Sequence, residues 1–183
     1  TSETPVKQAL NQLVATGLVV SIPKCGMKVR TFNFQDMKDN WEARLMVEQF
    51  CAVPAVERVR HDEDFVKHIQ DILDISNHEY GKCIADFTKE NFNLLTEHDR
   101  MLHTELVKCS RNQQIMNMYN SLNAHSCMFA GYGCHTPETL RQVQNQHTEI
   151  VDQLLLCDVD GLRKALESHI YSTVQIYRSA WKE

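Results

Sequence analysis

Four side chains in the second half of the chain have the types and spacing that bind a divalent cation. Asp99 and His103, in the run DRMLH, stand four residues apart. On a helix they share a face, and a carboxylate and an imidazole so placed can ligate one ion. His147 and His169 lie 11 residues before and 11 residues after Asp158. If Asp158 marks the turn of an antiparallel hairpin, each sits about 16 Å from it at ~1.5 Å per residue, and the two imidazoles can meet. The four together offer nitrogen and oxygen ligands inside a helical bundle. Spacing alone leaves open that these are histidines satisfied in the core or at the surface. His61, His68, His78, His98, His125 and His135 carry no such pattern and read as surface or loop residues. A ferritin-like di-iron site is disfavoured, because no Glu-x-x-His occurs. Cys127, Cys134 and His135 are the competing ligand set.

Helices must position these residues. Only 4 prolines and 6 glycines punctuate 183 residues, which argues for long helices over many short strands. Hydrophobic periodicity predicts helices near 34–59, 63–80, 87–109, 113–130, 137–156 and 160–181. Asn33, Asp62, Asp86, Asn112, Thr136 and Asp158 stand at the capping positions. Pro54 is expected to kink or split the first of these helices. Leu94, Leu95, Leu102 and Leu106 fit a bundle core. No apolar run approaches the ~18 residues of a membrane helix, so no membrane partner is expected. Seven scattered cysteines without a CxxC pair read as reduced thiols of a cytoplasmic protein.

The first 30 residues differ in charge. Lys7, Lys24, Lys28 and Arg30 face only Glu3, while the chain as a whole carries −5. A basic head on an acidic body suits a nucleic-acid contact at one end. Thr4-Pro5 can open a helix with Val6, Leu10, Leu13 and Val14 on one face, and Gly17 can close it. Leu18–Ile22 and Met27–Thr31 then flank Pro23-Lys24-Cys25-Gly26, a hairpin with a basic tip. The stretch SETPVKQALNQLVATGLV followed by PKCGMKV resembles the recognition helix and wing of the GntR family of bacterial transcription regulators. The resemblance implies a partial winged helix-turn-helix over residues 1–31, whose strand and two further helices are expected upstream. It implies DNA contacts by Ser2, Glu3, Thr4 and Lys7 on the helix and by Lys24 and Gly26 on the wing. Glu3 departs from the family, which usually has a base-reading arginine there, so a different operator is expected.

Residues 32–183 resemble the all-helical FCD ligand-binding and dimerisation domain of FadR-like GntR regulators, in its metal-binding branch. The segments EHDRMLHTELV, NQHTEIVDQL and DGLRKALESH carry that likeness. It implies metal ligation by Asp99, His103, His147 and His169, with zinc, nickel or manganese as the ion and a small organic acid completing its coordination. WEARLMVE resembles the first helix of that domain, whose arginine faces the effector, here Arg44. A guanidinium there can clamp a carboxylate at two points, or it can form a surface pair with Glu48. The implied protein is a homodimeric repressor that binds operator DNA and is not an enzyme. The alternative is a small helical-bundle metalloenzyme acting on a carboxylate substrate. No nucleophile or base near the metal is identifiable for it.

Overall fold

The computed structural model describes residues 3–15, 19–31, 33–122 and 131–180, without the side chains of Glu3 and Ala15. Ser2, Gly17, Leu18, His125, Cys127 and the last part of the helix predicted over 113–130 lie outside the described residues. The chain divides into two units, Thr1–Asn33 and Phe34–Glu183.

The first unit holds helix α1 (Glu3–Ala15) and strands β1 (Val19–Ile22) and β2 (Gly26–Val29). The strands pair antiparallel, Val19 opposite Val29 and Ile22 opposite Gly26. The Cys25 N–H donates to the Ile22 carbonyl at 3.0 Å. Pro23 fixes the first bend, and Lys24 follows at φ 64°, the positive value that the third position of a type II turn requires. Gly26 at φ 106° takes a conformation that side chains disfavour. Of the described residues in this unit only Val19 is buried. Val6 and Leu13, on the apolar face of α1, are exposed.

The second unit is a helical bundle. Its elements are α2 (Phe34–His61), α3 (Glu63–Ala85), α4 (Lys89–Lys108), α5 (Gln113–Ser121), a short 3-10 turn (Tyr132–Cys134), α6 (Pro137–Leu155) and α7 (Val159–Ala180). Among the described residues α2 is the longest helix and touches each of the other α-helices of the bundle; α3 packs on α4 and α6, and α6 packs on α7. Its buried stripe runs Met37, Trp41, Arg44, Leu45, Glu48, Cys51, Ala52, Ala55 and Val56, so two ionisable residues sit where the pattern calls for apolar ones.

Local signals place most of the helix starts. Asp62 accepts from the Phe65 N–H at 2.9 Å, Asn112 from Gln114 at 2.9 Å, and Asp158 from Gly161 at 3.0 Å. Thr136 and Thr139 form a reciprocal capping box. Four expectations need correction. Pro54 does not split α2, which runs unbroken to His61. The carbonyl deprived of its donor belongs to Phe50, on the outward face, where water can replace the bond. The second helix continues to Ala85, through Gly81, because Tyr80 and Cys83 on either side of it are buried. Asp86 ends α3, and Thr88 caps α4 instead by accepting from the Asn91 N–H at 3.2 Å. Leu95, Leu102 and Leu106 are buried, but Leu94 is 52% exposed.

Thr136→Ala removes the side-chain acceptor at the start of α6. It is expected to lower stability by about 1 kcal/mol. Urea denaturation would show this as a lower midpoint with an unchanged slope.

Candidate metal centre

Three helices bring the four sequence-derived ligands together. Asp99 and His103 lie one turn apart on the buried face of α4. His147 is on α6 and His169 on α7, two helices joined by a tight turn. That turn is a Schellman motif: the Cys157 N–H reaches the Leu154 carbonyl, and the Asp158 N–H reaches the Gln153 carbonyl. Cys157 takes the left-handed position at φ 58°, where glycine is commoner. The turn is short enough that residues equidistant from it meet, and the His147 and His169 ring centroids are 4.6 Å apart.

The ligand atoms of Asp99, His103, His147 and His169 all lie within 4.8 Å of one another, and all four residues are buried. His147 Nε2 is 2.9 Å from Asp99 Oδ1 and 3.4 Å from His103 Nε2. Two atoms bound to one ion at ~2.1 Å stand at most about 4.2 Å apart, so a contraction of a few tenths of an ångström turns this cluster into a coordination sphere. The outer nitrogens support that use. His103 Nδ1 lies 2.8 Å from Glu48 Oε2, and His147 Nδ1 lies 3.3 Å from the Tyr80 hydroxyl. The Glu48 carboxylate holds His103 Nδ1 protonated and turns its Nε2 lone pair towards the centre, and the Tyr80 hydroxyl is able to accept from His147 Nδ1 in the same way. His169 Nδ1 is buried without a hydrogen-bond partner. The donor set and its convergence fit a divalent ion.

Arg44 lines the cavity beside the cluster and also pairs with Glu48. It is buried, and so is Glu48, so their pair is not a surface one. Arg44 Nε donates to Glu48 Oε1 at 2.6 Å, and its Nη2 lies 3.8 Å from Asp99 Oδ2. With Nε committed to Glu48, an end-on approach to the two Nη atoms is what remains for another carboxylate, and Arg44 lines the adjoining cavity. Tyr119 on α5 also donates to Glu48 Oε1, at 2.8 Å.

Burial opposes the charge on Arg44, but Glu48, Tyr119 and Asp99 outweigh it and raise its pKa. Burial likewise works against ionised Glu48, yet Arg44 and His103 hold its carboxyl well below the ordinary range. Asp99 is lowered in the same way by His147, His103 and Arg44, again against burial. Burial pushes the pKa of His103 and His169 down, reinforced by Arg44 for the first and by the neighbouring imidazoles for the second. The result is neutral imidazoles at His103 and His169 beside ionised carboxylates, the protonation state a metal ion needs.

Tyr80 and Tyr119 carry no signal in the sequence, and Glu48 is named there only as a surface partner of Arg44. Glu48 was legible: Trp41, Leu45, Glu48 and Ala52 follow one helical stripe. His135 lies in a loop, as the sequence suggests, but it is not at the surface. It follows a loop turn but is only 8% exposed, and neither ring nitrogen has a hydrogen-bond partner. Burial pushes it down to about 4. His61, His68 and His78 are exposed, and His98 is half-buried. Of the DNA-contact candidates, Thr4 and Lys7 lie exposed on α1, and Lys24 and Gly26 lie exposed at the hairpin tip.

The pH dependence of stability has one sign throughout. His103, His169 and His135 are depressed in the folded state, so their contribution is full above the unfolded value of ~6.5 and is lost as pH falls from there toward the folded value. Glu48 and Asp99 are depressed too, and their contribution is lost below ~4. With a chelator present, the urea midpoint is expected to fall continuously from about pH 7 to about pH 4. A midpoint flat across that window would contradict the assignment of neutral imidazoles.

The FCD domain family matches residues 39–172. No curated protein matches the chain. Among solved structures, E. coli McbR/YncC is similar over 99% of this chain and 87% of its own, at 19% identity and a TM-score of 0.82. A protein assigned as a transcriptional regulator, GntR, from Rhodococcus sp. RHA1 is similar over 100% of this chain and 83% of its own, at 17% identity and a TM-score of 0.77. The metal-free FCD domain of TM0439 is similar over 82% of this chain and 99% of its own, at 16% identity and a TM-score of 0.54. At these identities the likeness is one of fold. The family match, covering well over half of the residues, carries further: the chain belongs to the FCD domain family.

Proposed function

We propose that the chain is a one-component transcription regulator whose operator affinity responds to a small carboxylate bound beside a divalent ion. The observation that carries this is the buried Asp99-His103-His147-His169 cluster inside an FCD bundle. In this reading the first unit contacts operator DNA, with Ser2, Glu3, Thr4 and Lys7 along the helix and Lys24 and Gly26 at the wing. The assembly is a homodimer on a palindromic operator. Zinc, nickel or manganese suits three imidazoles and one carboxylate.

Each residue has a distinct task. His103, His147 and His169 give neutral nitrogens, and Asp99 gives the anionic oxygen. Glu48 orients His103 and holds Arg44 in place. Arg44 presents Nη2 to an anion in the adjoining cavity. A bound divalent ion would supply a Lewis-acidic point for a carboxylate oxygen and cross-link α4, α6 and α7. The effector acts only by binding one geometry of the dimer better than another, since equal affinity shifts nothing. Repression relieved by the effector is the sense expected by analogy with the family.

Untagged protein is expected to carry one divalent ion per chain by elemental analysis. Chelation should lower its melting temperature. His147→Ala should lose both the ion and the response to carboxylates, whereas His78→Ala should change neither. Three imidazoles that bind no ion at any metal tested would sink the metal reading.

A second experiment addresses the DNA contacts. In the full-length protein, Lys7→Ala should weaken binding to all operator variants and reduce the salt dependence. Glu3→Arg should instead shift base preference toward guanine, by about 1–3 kcal/mol. Unaltered preference in Glu3→Arg would mean that this side chain does not face bases.

A further inference from the structure

Beside the four-residue cluster lies a cavity of about 20 Å³, whose lining residues are all buried. Its polar wall includes Arg44, Thr96, Thr173 and His135 together with Asp99 and His169; much of the rest is apolar, Leu95 and Leu140 included. Several buried polar atoms of this wall have no hydrogen-bond partner: Arg44 Nη2, His169 Nδ1 and both ring nitrogens of His135. Leaving such groups unpaired in the interior is costly, so an occupant that satisfies several of them is strongly favoured. Arg44 Nη2 is a donor only, and a neutral imidazole has one donor nitrogen. An acceptor-rich ligand suits this wall better than a cation.

His135 is held rigidly at this wall. Its ring packs between Phe92, at 5.2 Å, and Tyr177, at 5.5 Å. The turn that leads into it is pinned as well. The Tyr132 hydroxyl donates to the Phe87 carbonyl at 3.0 Å, and Gly131 lies so close to Tyr177 that a Cβ there would overlap the ring.

Charge narrows the ligand class. The buried ionised groups are Arg44, Glu48 and Asp99, one positive and two negative, which leaves one negative charge in excess. A divalent ion turns that into one positive charge in excess, and a monoanion then neutralises it. A dianion would not, and an uncompensated charge in the interior is expensive. Volume narrows it further. About 20 Å³ is little more than the space for one water, so even formate or acetate needs the wall to give slightly, and a long acid has no room unless His135 moves.

We infer that His135 determines effector specificity: it donates an N–H to the ligand carboxylate and, by standing at the cavity wall, restricts the ligand to short monocarboxylates of the formate and acetate class. This rests on the proposed reading of an ion and a carboxylate at this site.

The test is titration calorimetry of zinc-loaded full-length protein with acetate, hexanoate and citrate. Zinc content and melting temperature are measured for every variant. Wild type should bind acetate more tightly than hexanoate or citrate. His135→Ala should weaken acetate binding at least tenfold, improve the relative affinity for hexanoate, and keep one zinc per chain. His135→Gln retains an N–H donor and should recover most of the acetate affinity. If wild type binds acetate but His135→Ala binds it equally well with the same order of acids, the role of His135 is wrong and the carboxylate reading survives. Wild type that holds zinc yet prefers hexanoate or citrate also overturns the inference. Wild type that binds none of the three acids overturns both the inference and the reading beneath it.

Discussion

Burying Arg44, Glu48 and Asp99 in the middle of a helical bundle is costly, and the rest of the site is arranged around meeting that cost. Each ionised group taken out of water loses several kcal/mol of hydration, which only close partners can offset. Glu48 meets this demand most fully: its two oxygens take Arg44 Nε, the Tyr119 hydroxyl and His103 Nδ1, all within 2.6–2.8 Å. One carboxylate thereby ties together α2, α4 and α5. Removing it would leave a guanidinium buried without its main counter-charge, a far larger loss than that of an exposed pair. The position of His103, and through it the geometry of the cluster, follows from this pairing.

Much of the cluster was legible in the sequence because its geometry follows from two regularities. A helix repeats every 3.6 residues, which puts Asp99 and His103 on one face. A short helical hairpin matches residues equidistant from its turn, which joins His147 to His169. The caps at Asp62, Asn112, Thr136 and Asp158 were legible for a related reason, since a cap is a contact between residues two or three apart. What was not legible depends on what lies across the core. An Arg-Glu pair at four-residue spacing looks the same whether it is solvated or buried, and only the stripe shared with Trp41 and Leu45 reveals that Arg44 and Glu48 point inward. Nothing local marks His135, whose burial is made by Phe92 and Tyr177 from distant helices. Asp86 and Thr88 are both competent caps two residues apart, and the choice between them is one of tertiary packing.

The helix that carries Arg44 and Glu48 is also the one that follows directly on the first unit at Asn33. Arg44 lies ten residues along α2 from its start, or ~15 Å at the rise of an α-helix. A change in the charge environment at the cluster therefore acts on a helix continuous in sequence with the DNA-contact segment of the proposed regulator. α2 is suited to transmit such a change, because it touches each of the other described α-helices of its bundle and stays unbroken through Pro54.

In the proposed regulator, ion and effector play unequal parts, and the buried charge explains why. Without an ion, a carboxylate entering the cavity would meet Asp99 as well as Arg44, and the repulsion would offset much of the attraction. With an ion in place the same carboxylate completes a neutral set. Effector binding is then conditional on the metal, and by linkage the metal is held more tightly once the effector is bound. The two ligands are coupled through Asp99 and Arg44 whether or not any helix moves. Coupling to DNA asks for more: the bundle must have a second arrangement in which this neutral set is less well made. The wall at His135 is a natural place for the difference, because a cavity of about 20 Å³ lets a displacement smaller than one atom decide whether a ligand fits.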